Sequence, residues 1–346
     1  MTQNKTLIFK KIPDGLPVAG EHLTVEDRPI DLDDAPEGGL VVEVLYASFD
    51  PYLRGKMRDP SKKSYSPPFD LDGPITNDTI GKVLKSNNSD FPEGSLVVAH
   101  TPIAEYARVP PAILQRGRKI HNPHNLDLGL FLGPLGMPGL TAWSGLHKIG
   151  QPKKGETIFV SSAAGAVGQI VGQIAKREGL TVIGSVGSDE KLEFITKELR
   201  FDAGFNYKKE KPKDALPRVA PDGIDIYFEN VGGEHLEAAL TSMKVGGRVP
   251  VCGMIGNYNL PPDQQEGIKG LMQLVSKQIT LEGFLVGNPK FGPAHFKDHQ
   301  ENLQKWLADG SVKAKISVTE GIENAPDGLI GLLVGKNFGK AVLKVK

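Results

Sequence analysis

The chain has 346 residues, and its 41 Lys and Arg residues are balanced by 41 Asp and Glu residues. This length predicts about two domains, and the lack of net charge argues against a nucleic-acid-binding or membrane-surface protein. The single cysteine, Cys252, excludes an intramolecular disulfide and a zinc site built from several thiolates. The N-terminus lacks the apolar stretch of a signal peptide, and no run of about 18 apolar residues occurs, so the sequence predicts a soluble cytoplasmic protein.

The first part of the chain is rich in Pro, Gly and Asp, with short apolar runs between these residues. Three of the runs, 41–46, 80–84 and 96–99, have the composition of short strands bounded by turns. This pattern predicts a small β domain over residues 1–130.

From about residue 155, apolar strands alternate with helices of 10 to 15 residues. Strands are predicted at 157–161, 180–185, 203–206, 224–229, 248–252 and 279–286. Helices are predicted from about 166, at 189–199, from about 233, at 266–276 and at about 295–308. Six strands that alternate with helices predict a doubly wound, parallel Rossmann sheet covered on both faces.

The tail contains two more strand-like runs, 316–318 and 341–345, which cannot extend a six-stranded sheet in an obvious way. The tail is therefore expected to return to the first domain. This places the Rossmann domain, residues 131–309, as an insertion in a smaller β domain made of residues 1–130 and 310–346.

The turn after the first Rossmann strand carries the strongest motif of the sequence. Ala163, Gly165 and Gly168 occupy the three small-residue positions of a dinucleotide-binding fingerprint, with Ala in place of the first Gly. Small residues let the backbone approach a pyrophosphate, and the N–H groups at the start of the following helix meet its charge. Gly165, Ala166, Val167 and Gly168 are therefore expected to bind the pyrophosphate.

The end of the second Rossmann strand indicates which nucleotide is bound. A site for NAD places an acidic residue there, whereas this strand ends in Ser188. Asp189 suits the first turn of a helix, where a carboxylate interacts well with the helix dipole. Lys191 could reach a 2′-phosphate, so NADPH is the predicted cofactor. The alternative for Lys191 is an ordinary solvated helix residue.

The histidines are scattered, and His121 and His124, in a loop rich in Pro and Asn, come closest to a ligand pair. Cys252 at a strand end is expected to be a small buried hydrophobe. No metal site is predicted. Since carbonyl reduction usually relies on a Lewis acid, reduction of a C=C bond is the favoured chemistry.

The chain resembles the zinc-independent medium-chain dehydrogenase/reductases, and within them the alkenal double-bond reductases that include prostaglandin reductases and leukotriene dehydrogenases. The matching motifs occur in order over nearly the whole chain. They are residues 50–55, 135–143, 163–168, 187–191, 205–208, 229–233, 252–253 and 337–340. The resemblance implies a GroES-like β domain for the smaller part and a homodimer whose interface lies near residues 279–284.

The resemblance also implies roles for individual residues. Those expected to hold NADPH, besides the fingerprint, are Ser188, Lys191, Tyr207, Asn230, Cys252, Gly253, Tyr258, Phe284, Leu285, Val286 and Asn337. Tyr258 matches the tyrosine next to the substrate carbonyl, and Tyr52 is expected to line the substrate pocket. Trp143 and the segment 75–80 depart from the family pattern near the expected substrate position.

The implied reaction is NADPH-dependent reduction of the C=C bond of an α,β-unsaturated aldehyde or ketone. Hydride would add to the β-carbon, and Tyr258 would donate a hydrogen bond to the enolate oxygen. A phenol of ordinary acidity transfers its proton slowly at neutral pH, so stabilisation is favoured over acid catalysis.

Alternatives remain for several of these residues and for the activity. Tyr258 could be a structural loop residue, and Tyr52 could only shape a turn. Arg54 could anchor substrate, although an ion pair with Asp50 or Asp59 is the favoured prediction. A quinone reductase of the same fold, or a non-catalytic NADPH-binding or redox-sensing protein, would also fit the sequence.

Overall fold

The computed structural model describes residues 1–265 and 267–346. The chain divides into two compact units. The first unit consists of Met1–Leu132 and Ile316–Lys346, and the second of Gly133–Lys315. The chain thus leaves the first unit once, forms the second, and returns.

The bounds of the strands and α-helices are as follows. The strands are β1 (Lys5–Phe9), β2 (Leu23–Asp27), β3 (Leu40–Ser48), β4 (Gly73–Pro74), β5 (Thr76–Ser86), β6 (Leu96–Pro102), β7 (Tyr106–Val109), β8 (Arg118–Lys119), β9 (Thr157–Val160), β10 (Thr181–Val186), β11 (Ala203–Asn206), β12 (Ile224–Phe228), β13 (Met243–Val251), β14 (Thr280–Gly283), β15 (Ile316–Glu320) and β16 (Lys340–Lys344). The α-helices are α1 (Leu53–Lys56), α2 (Pro111–Leu114), α3 (Met137–Gly145), α4 (Gly168–Arg177), α5 (Asp189–Glu193), α6 (Pro212–Val219), α7 (Gly233–Ser242), α8 (Met272–Ser276), α9 (Gly292–Ala308) and α10 (Ala325–Leu333).

The second unit is built on a six-stranded sheet with the order β11-β10-β9-β12-β13-β14. Every pair of neighbouring strands is parallel. In terms of this sheet's own chain order, the arrangement is 3-2-1-4-5-6, the order of a doubly wound dinucleotide-binding sheet. Most residues of the central strands are buried, and Phe159 of β9 stacks on Phe205 of β11 and Tyr227 of β12.

Some helices of this unit differ from the sequence prediction. The helix predicted over 266–276 begins at Met272, and Glu266 lies outside the described residues. Helix α6 was not predicted, because two prolines argue against a helix there. Pro212 occupies the first turn, where a proline fits, and Pro217 is accommodated near the other end.

The first unit contains a seven-stranded sheet with the order β15-β16-β3-β5-β6-β8, in which β7 also pairs with β3, and a small sheet with the order β2-β1-β4. The tail enters the larger sheet because β16 pairs antiparallel with β3. The predicted fold class, a doubly wound parallel Rossmann sheet inserted into a smaller GroES-like β domain, is confirmed.

An ion pair inside the first unit joins the tail to the end of β3. The Nζ atom of Lys340 lies 2.8 Å from Oδ1 of Asp50, and the two side chains are only 1% and 5% exposed. The same ammonium group donates to the backbone oxygen of Phe49. Removing one partner of such a pair would leave a buried charge uncompensated, which costs about 3–5 kcal/mol, whereas the intact pair adds little net stability because both charges lose their water.

Candidate functional site

The residues predicted to bind the cofactor follow the carboxyl ends of the six parallel strands, apart from Asn337. They are Gly165, Ala166, Val167 and Gly168 after β9, Ser188 and Lys191 after β10, Tyr207 after β11, Asn230 after β12, Cys252, Gly253 and Tyr258 after β13, and Phe284, Leu285 and Val286 after β14. Because the strands are parallel, their carboxyl ends lie at one edge of the sheet. In open α/β sheets this is the edge at which ligands bind.

The turn between β9 and α4 is tight enough to require its small residues. A Cβ atom on Gly168 would lie 2.3 Å from the backbone oxygen of Ser162 and 2.8 Å from Cα of Ala163. The N–H of Ala163 donates to the oxygen of Ser185 on β10, which fixes the turn to the sheet. Among the described residues, no side chain caps the start of α4 at Val167. In the first turn, the N–H groups of Gln169 and Ile170 donate to the backbone oxygens of Gly165 and Val167. The N–H groups of residues 166–168, where the turn enters α4, are the ones that would meet a pyrophosphate, so this turn fits NADPH.

The start of α5 has the predicted geometry. Ser188 is the N-cap, and its side chain accepts a hydrogen bond from the N–H of Lys191 at 3.2 Å. Asp189 lies in the first helical turn, as predicted. Its carboxylate accepts from Asn206 at 2.9 Å and also pairs with Lys209. The Asp189 carboxylate, which could repel a 2′-phosphate, is thus bound by Asn206 and Lys209.

Two lysines contribute positive charge at the ends of β10 and β11. Burial lowers the pKa of Lys191, and the nearby ammonium group of Lys208 lowers that pKa further. Tyr207, 40% exposed, precedes Lys208. A bound anion would reduce the repulsion between these two ammonium groups. The carboxyl ends of β10 and β11 therefore suit a phosphate. Sequence reasoning missed Lys208, although it belongs to the motif 205–208.

The loop after β12 is held by Ser161 at the end of β9. The backbone oxygen of Ser161 accepts from the side-chain amide of Asn230 at 2.8 Å, and its hydroxyl accepts from the N–H of Asn230 at 2.9 Å. These contacts fix Asn230 beside the fingerprint turn. Because Asn230 reaches across two neighbouring strand ends, it links two of the loops predicted to touch the cofactor.

Glu229, which precedes Asn230, is a fully buried carboxyl group that sequence reasoning missed. Its Oε1 atom accepts from the N–H groups of Val231 at 2.6 Å and Gly232 at 2.9 Å, and from the hydroxyl of Tyr227 at 2.8 Å. Burial raises the pKa of Glu229, while these donors act against that rise. The carboxyl group therefore shapes the loop rather than contacting solvent. The sequence feature that could have identified Glu229 is its position as an acidic residue directly after an apolar strand.

Tyr258 lies in the loop after β13, with its N–H donating to the oxygen of Ile255. Its hydroxyl lies close to Gly253, where an added Cβ atom would be 3.2 Å from the phenol oxygen. The N–H of Cys252 donates to the backbone oxygen of Glu229. Cys252 is half-buried, so the prediction of a fully buried side chain is wrong. Loss of solvent around its sulfur, with a further contribution from Glu229, raises the pKa of Cys252 to about 12, so this thiol stays protonated.

The segment after β14 presents three different environments. Phe284 is 9% exposed, and its ring packs against Phe228 and Phe291 in the core. Leu285 is 50% exposed, and Val286 is half-buried. Since the ring of Phe284 is part of the core, its predicted contact with the nicotinamide would involve the backbone.

Two predicted residues, Tyr52 and Asn337, belong to the first unit. The hydroxyl of Tyr52 donates to Oδ1 of Asn77. The amide of Asn337 donates to the oxygen of Gly339 at 2.7 Å. Their predicted roles with substrate and nicotinamide stay predictions.

The ion pair predicted for Arg54 is wrong. Its guanidinium donates to the backbone oxygens of Gly15 at 2.7 Å and Pro13 at 3.2 Å, and within the described residues it forms no ion pair with Asp50 or Asp59. Asp50 pairs with Lys340 instead, and the N–H of Ser61 binds the Asp59 carboxylate.

Trp143, one of the departures from the family pattern, has a structural environment in the second unit. It lies on α3, is 8% exposed, and packs on Trp306 of α9 at a centroid distance of 5.8 Å. His147 packs on its other side at 4.7 Å. These contacts account for a large aromatic residue at this position without a substrate.

Over residues 1–265 and 267–346, no group of three or more His, Cys, Asp or Glu side chains is arranged to hold a metal ion. His121 and His124 are both exposed. A search of the same residues for a helix long and apolar enough to cross a membrane also finds none.

Two family models match the sequence of the chain. The model described as the N-terminal domain of oxidoreductase matches residues 5–116, and the model described as zinc-binding dehydrogenase matches residues 166–305. An NADP-dependent oxidoreductase, RED1, from Cochliobolus heterostrophus is 51% identical over 100% of this chain and 98% of its own length. The chain belongs to the medium-chain dehydrogenase/reductase family.

Another member of the family is the NADP-dependent 2-alkenal reductase of Nicotiana tabacum, which is 44% identical over 99% of this chain and 97% of its own length. Among solved structures, CurA from Vibrio vulnificus in complex with NADPH has a TM-score of 0.90 and 36% identity, with 99% of each chain covered. The predicted family is thus confirmed, and this member is an oxidoreductase.

His235 is a buried histidine in contact with Tyr207. It lies on α7, where its ring stacks with Phe159 and meets the edge of Tyr207 at a centroid distance of 5.2 Å. In the described part of the chain, its Nε2 atom has no hydrogen-bond partner. Burial lowers its pKa from 6.5 to about 4.

The pKa of His235 predicts a pH dependence of stability. The pKa of His235 is lower in the folded state than in the unfolded state, so the unfolded chain takes up a proton first as the pH falls. The free energy of unfolding should therefore be highest above pH 6.5 and should decrease as the pH falls towards 4. The loss should reach roughly 3 kcal/mol. His235→Phe keeps an aromatic ring but removes this titration, so its free energy of unfolding should fall less over the same pH range.

Denaturant unfolding above, within and below this range measures the difference. Both tryptophans, Trp143 and Trp306, lie in the second unit, so their fluorescence reports on the unit that contains His235. The matched control is the same change at an exposed histidine, His124→Phe. Identical pH profiles for wild type and His235→Phe would contradict the prediction.

Proposed function

We propose that this enzyme uses NADPH to reduce the C=C bond of α,β-unsaturated aldehydes or ketones. The observation that carries the proposal is the Tyr258 hydroxyl, which lies among the strand-end loops predicted to hold the cofactor, close to Gly253. A phenol there is a hydrogen-bond donor suited to a carbonyl oxygen. The likeness to a 2-alkenal reductase supports this reading.

NADPH is the cofactor, in agreement with the prediction from the sequence. It supplies a hydride to the substrate when it is bound. The fingerprint turn would hold the pyrophosphate through the N–H groups of residues 166–168. Ser188, Lys191 and Tyr207 would surround the 2′-phosphate, with Lys208 as an additional cation. All of these residues belong to the second unit.

The role assigned to Tyr258 is to donate a hydrogen bond to the substrate oxygen. Hydride addition at the β-carbon places negative charge on that oxygen, so the hydrogen bond strengthens in the transition state. Glu229 supports this arrangement indirectly, because its backbone oxygen accepts from Cys252 and Gly253 at the start of the Tyr258 loop. The α-carbon then takes a proton from Tyr258 or from water.

The activity is tested by following NADPH absorbance with purified protein and trans-2-nonenal. Nonanal, which lacks the double bond, and NADH are the controls. We expect NADPH to be consumed with the enal alone. Tyr258→Phe should lower turnover roughly ten- to a thousandfold, as loss of an oxyanion donor does, whereas Tyr106→Phe, a tyrosine of the first unit, should not.

The outcomes of this assay separate the alternatives. Consumption of NADPH with quinones but not with enals would replace the proposed reaction by quinone reduction. Bound NADPH with no turnover on either class would indicate a binding or sensing role. Unchanged turnover in Tyr258→Phe would remove this residue from the mechanism.

The cofactor preference is tested at Lys191. Lys191→Ala removes one charged partner of the 2′-phosphate, and hydrogen bonds to charged groups contribute about 1.5–3 kcal/mol. The KM for NADPH should therefore rise roughly tenfold or more, while the KM for NADH should hardly change. Lys197→Ala is the matched control, because Lys197 forms an exposed pair with Glu193 in the following turn. Equal effects on both nucleotides would refute the assignment of Lys191.

A homodimer formed through the edge of the Rossmann sheet is also proposed. β14 is the last strand of that sheet, and all four of its residues are exposed. Met272 and Val275 on the preceding helix are 73% and 70% exposed. Exposed strand edges and apolar side chains invite pairing, here with a second copy of the chain. Sedimentation of the chain as a monomer at micromolar concentration would contradict this proposal.

A further inference from the structure

Lys56 is a buried lysine of the first unit that has no part in the candidate site. It is the last residue of α1 and is only 6% exposed. Its ammonium group lies 4.2 Å from the centre of the Phe69 ring, and Phe69 is itself buried. Over residues 1–265 and 267–346, no carboxylate forms an ion pair with Lys56. This arrangement is unusual, because a charged group removed from water normally has an opposite charge beside it.

Lys340, which is also buried in the first unit, shows the usual arrangement. Its ammonium group lies 2.8 Å from the Asp50 carboxylate and also donates to a backbone oxygen. The Phe69 ring beside Lys56 carries no net charge, and such a ring attracts a cation by only about 0.5–2 kcal/mol. Lys56 therefore lacks the compensation that Lys340 has.

A neighbouring cation adds to the cost of a charge on Lys56. The Arg58 guanidinium donates to the backbone oxygens of Gly55 and Lys62, both at 2.8 Å, and of Ser66. These contacts hold the guanidinium without neutralising it. Burial lowers the pKa of Lys56, and the charge of Arg58 lowers that pKa further. Desolvation and a nearby cation are the two conditions that turn a lysine amine into a nucleophile.

The amine of Lys56 keeps some contact with solvent. In the described part of the chain it makes no hydrogen bond, and it is not one of the unpaired nitrogen atoms that are completely removed from solvent. Gly55, the preceding residue of α1, is exposed, and a Cβ atom added there would meet nothing within 4 Å. A small molecule can therefore approach this turn of α1.

We propose that Lys56 is a carbonyl-reactive lysine, which binds small aldehydes covalently as imines. The lone pair of the neutral amine attacks the carbonyl carbon, the carbonyl π electrons move to oxygen, and a proton passes from nitrogen to oxygen to give a carbinolamine. Loss of water then forms the C=N bond, with no oxidant or reductant. A neutral imine removes the unpaired charge from beside Phe69 and Arg58. The site lies within the first unit and is independent of the reaction proposed above.

The test labels the native protein with butanal and sodium cyanoborohydride, without NADPH. Butanal has no conjugated double bond, so an amine adds only to its carbonyl carbon, and the reductant converts each imine to a stable butylamine. Cleavage before aspartate separates residues 50–58, in which Lys56 is the only lysine, from residues 59–69, which contain Lys62 and Lys63. Mass spectrometry of the peptides and their fragments then gives the labelled fraction of each lysine.

Lys63 is the matched control, because it is exposed and lies seven positions further along the same segment. An exposed lysine has a pKa of about 10.4 and is almost fully protonated at pH 7, so Lys56 should be labelled about threefold faster or more. The ratio of the two rates should fall as the pH rises towards about 10, because Lys63 then gains free amine. Lys56→Arg should remove the label from residues 50–58 and leave that of residues 59–69 unchanged.

The rate ratio and its pH dependence decide the inference. Faster labelling of Lys56 at pH 7 that declines with rising pH, and that is lost when the chain is unfolded in urea, supports it. Labelling no faster than that of Lys63 at pH 7, or a ratio that is the same at every pH, would overturn it. The pH profile separates a nucleophilic amine from a merely shielded one, because shielding alone would slow the labelling of Lys56 throughout.

Discussion

The buried contact between Asp50 and Lys340 is a constraint on how the tail completes the first unit. The two residues are 290 positions apart in the chain. A lysine side chain that is 1% exposed needs an opposite charge beside it, and the pairing of β16 with β3 brings Lys340 to Asp50. Of the chain between these two residues, 133–315 forms the second unit.

In the second unit, the common direction of the strands determines where the residues predicted to bind the cofactor lie. Since all six strands run in one direction, every loop that follows a strand opens at the same edge. Contacts between neighbouring loops then fix their shapes. Ser161 accepts two hydrogen bonds from Asn230, and the carboxyl group of Glu229 accepts hydrogen bonds from two N–H groups of its own loop. The site is therefore assembled from short segments, each positioned by the end of a strand.

Elements with a clear local pattern of apolar and turn residues could be predicted from the sequence. The Rossmann strands are short, apolar and bounded by turns, so all six were found, with ends that differ by a few residues. Helix α6 was missed because the tolerance of Pro212 and Pro217 depends on where they fall within the helix. The partner of Arg54 was predicted wrongly because backbone oxygens distant in sequence, at Pro13 and Gly15, compete with nearby carboxylates. The pairing of Asp50 with Lys340 has no local signature. In the candidate site, the glycines and Lys191 stood out from the sequence, whereas the burial of Glu229 follows only from the packed sheet.

The environment of Cys252 has a consequence for the durability of the enzyme. Conjugated aldehydes are electrophiles that alkylate proteins, and the thiolate is the form of cysteine that they attack most readily. Cys252 is the only cysteine of the chain, and its pKa is raised to about 12. At neutral pH the thiol of Cys252 is therefore protonated. The chain thus presents such electrophiles with almost no thiolate.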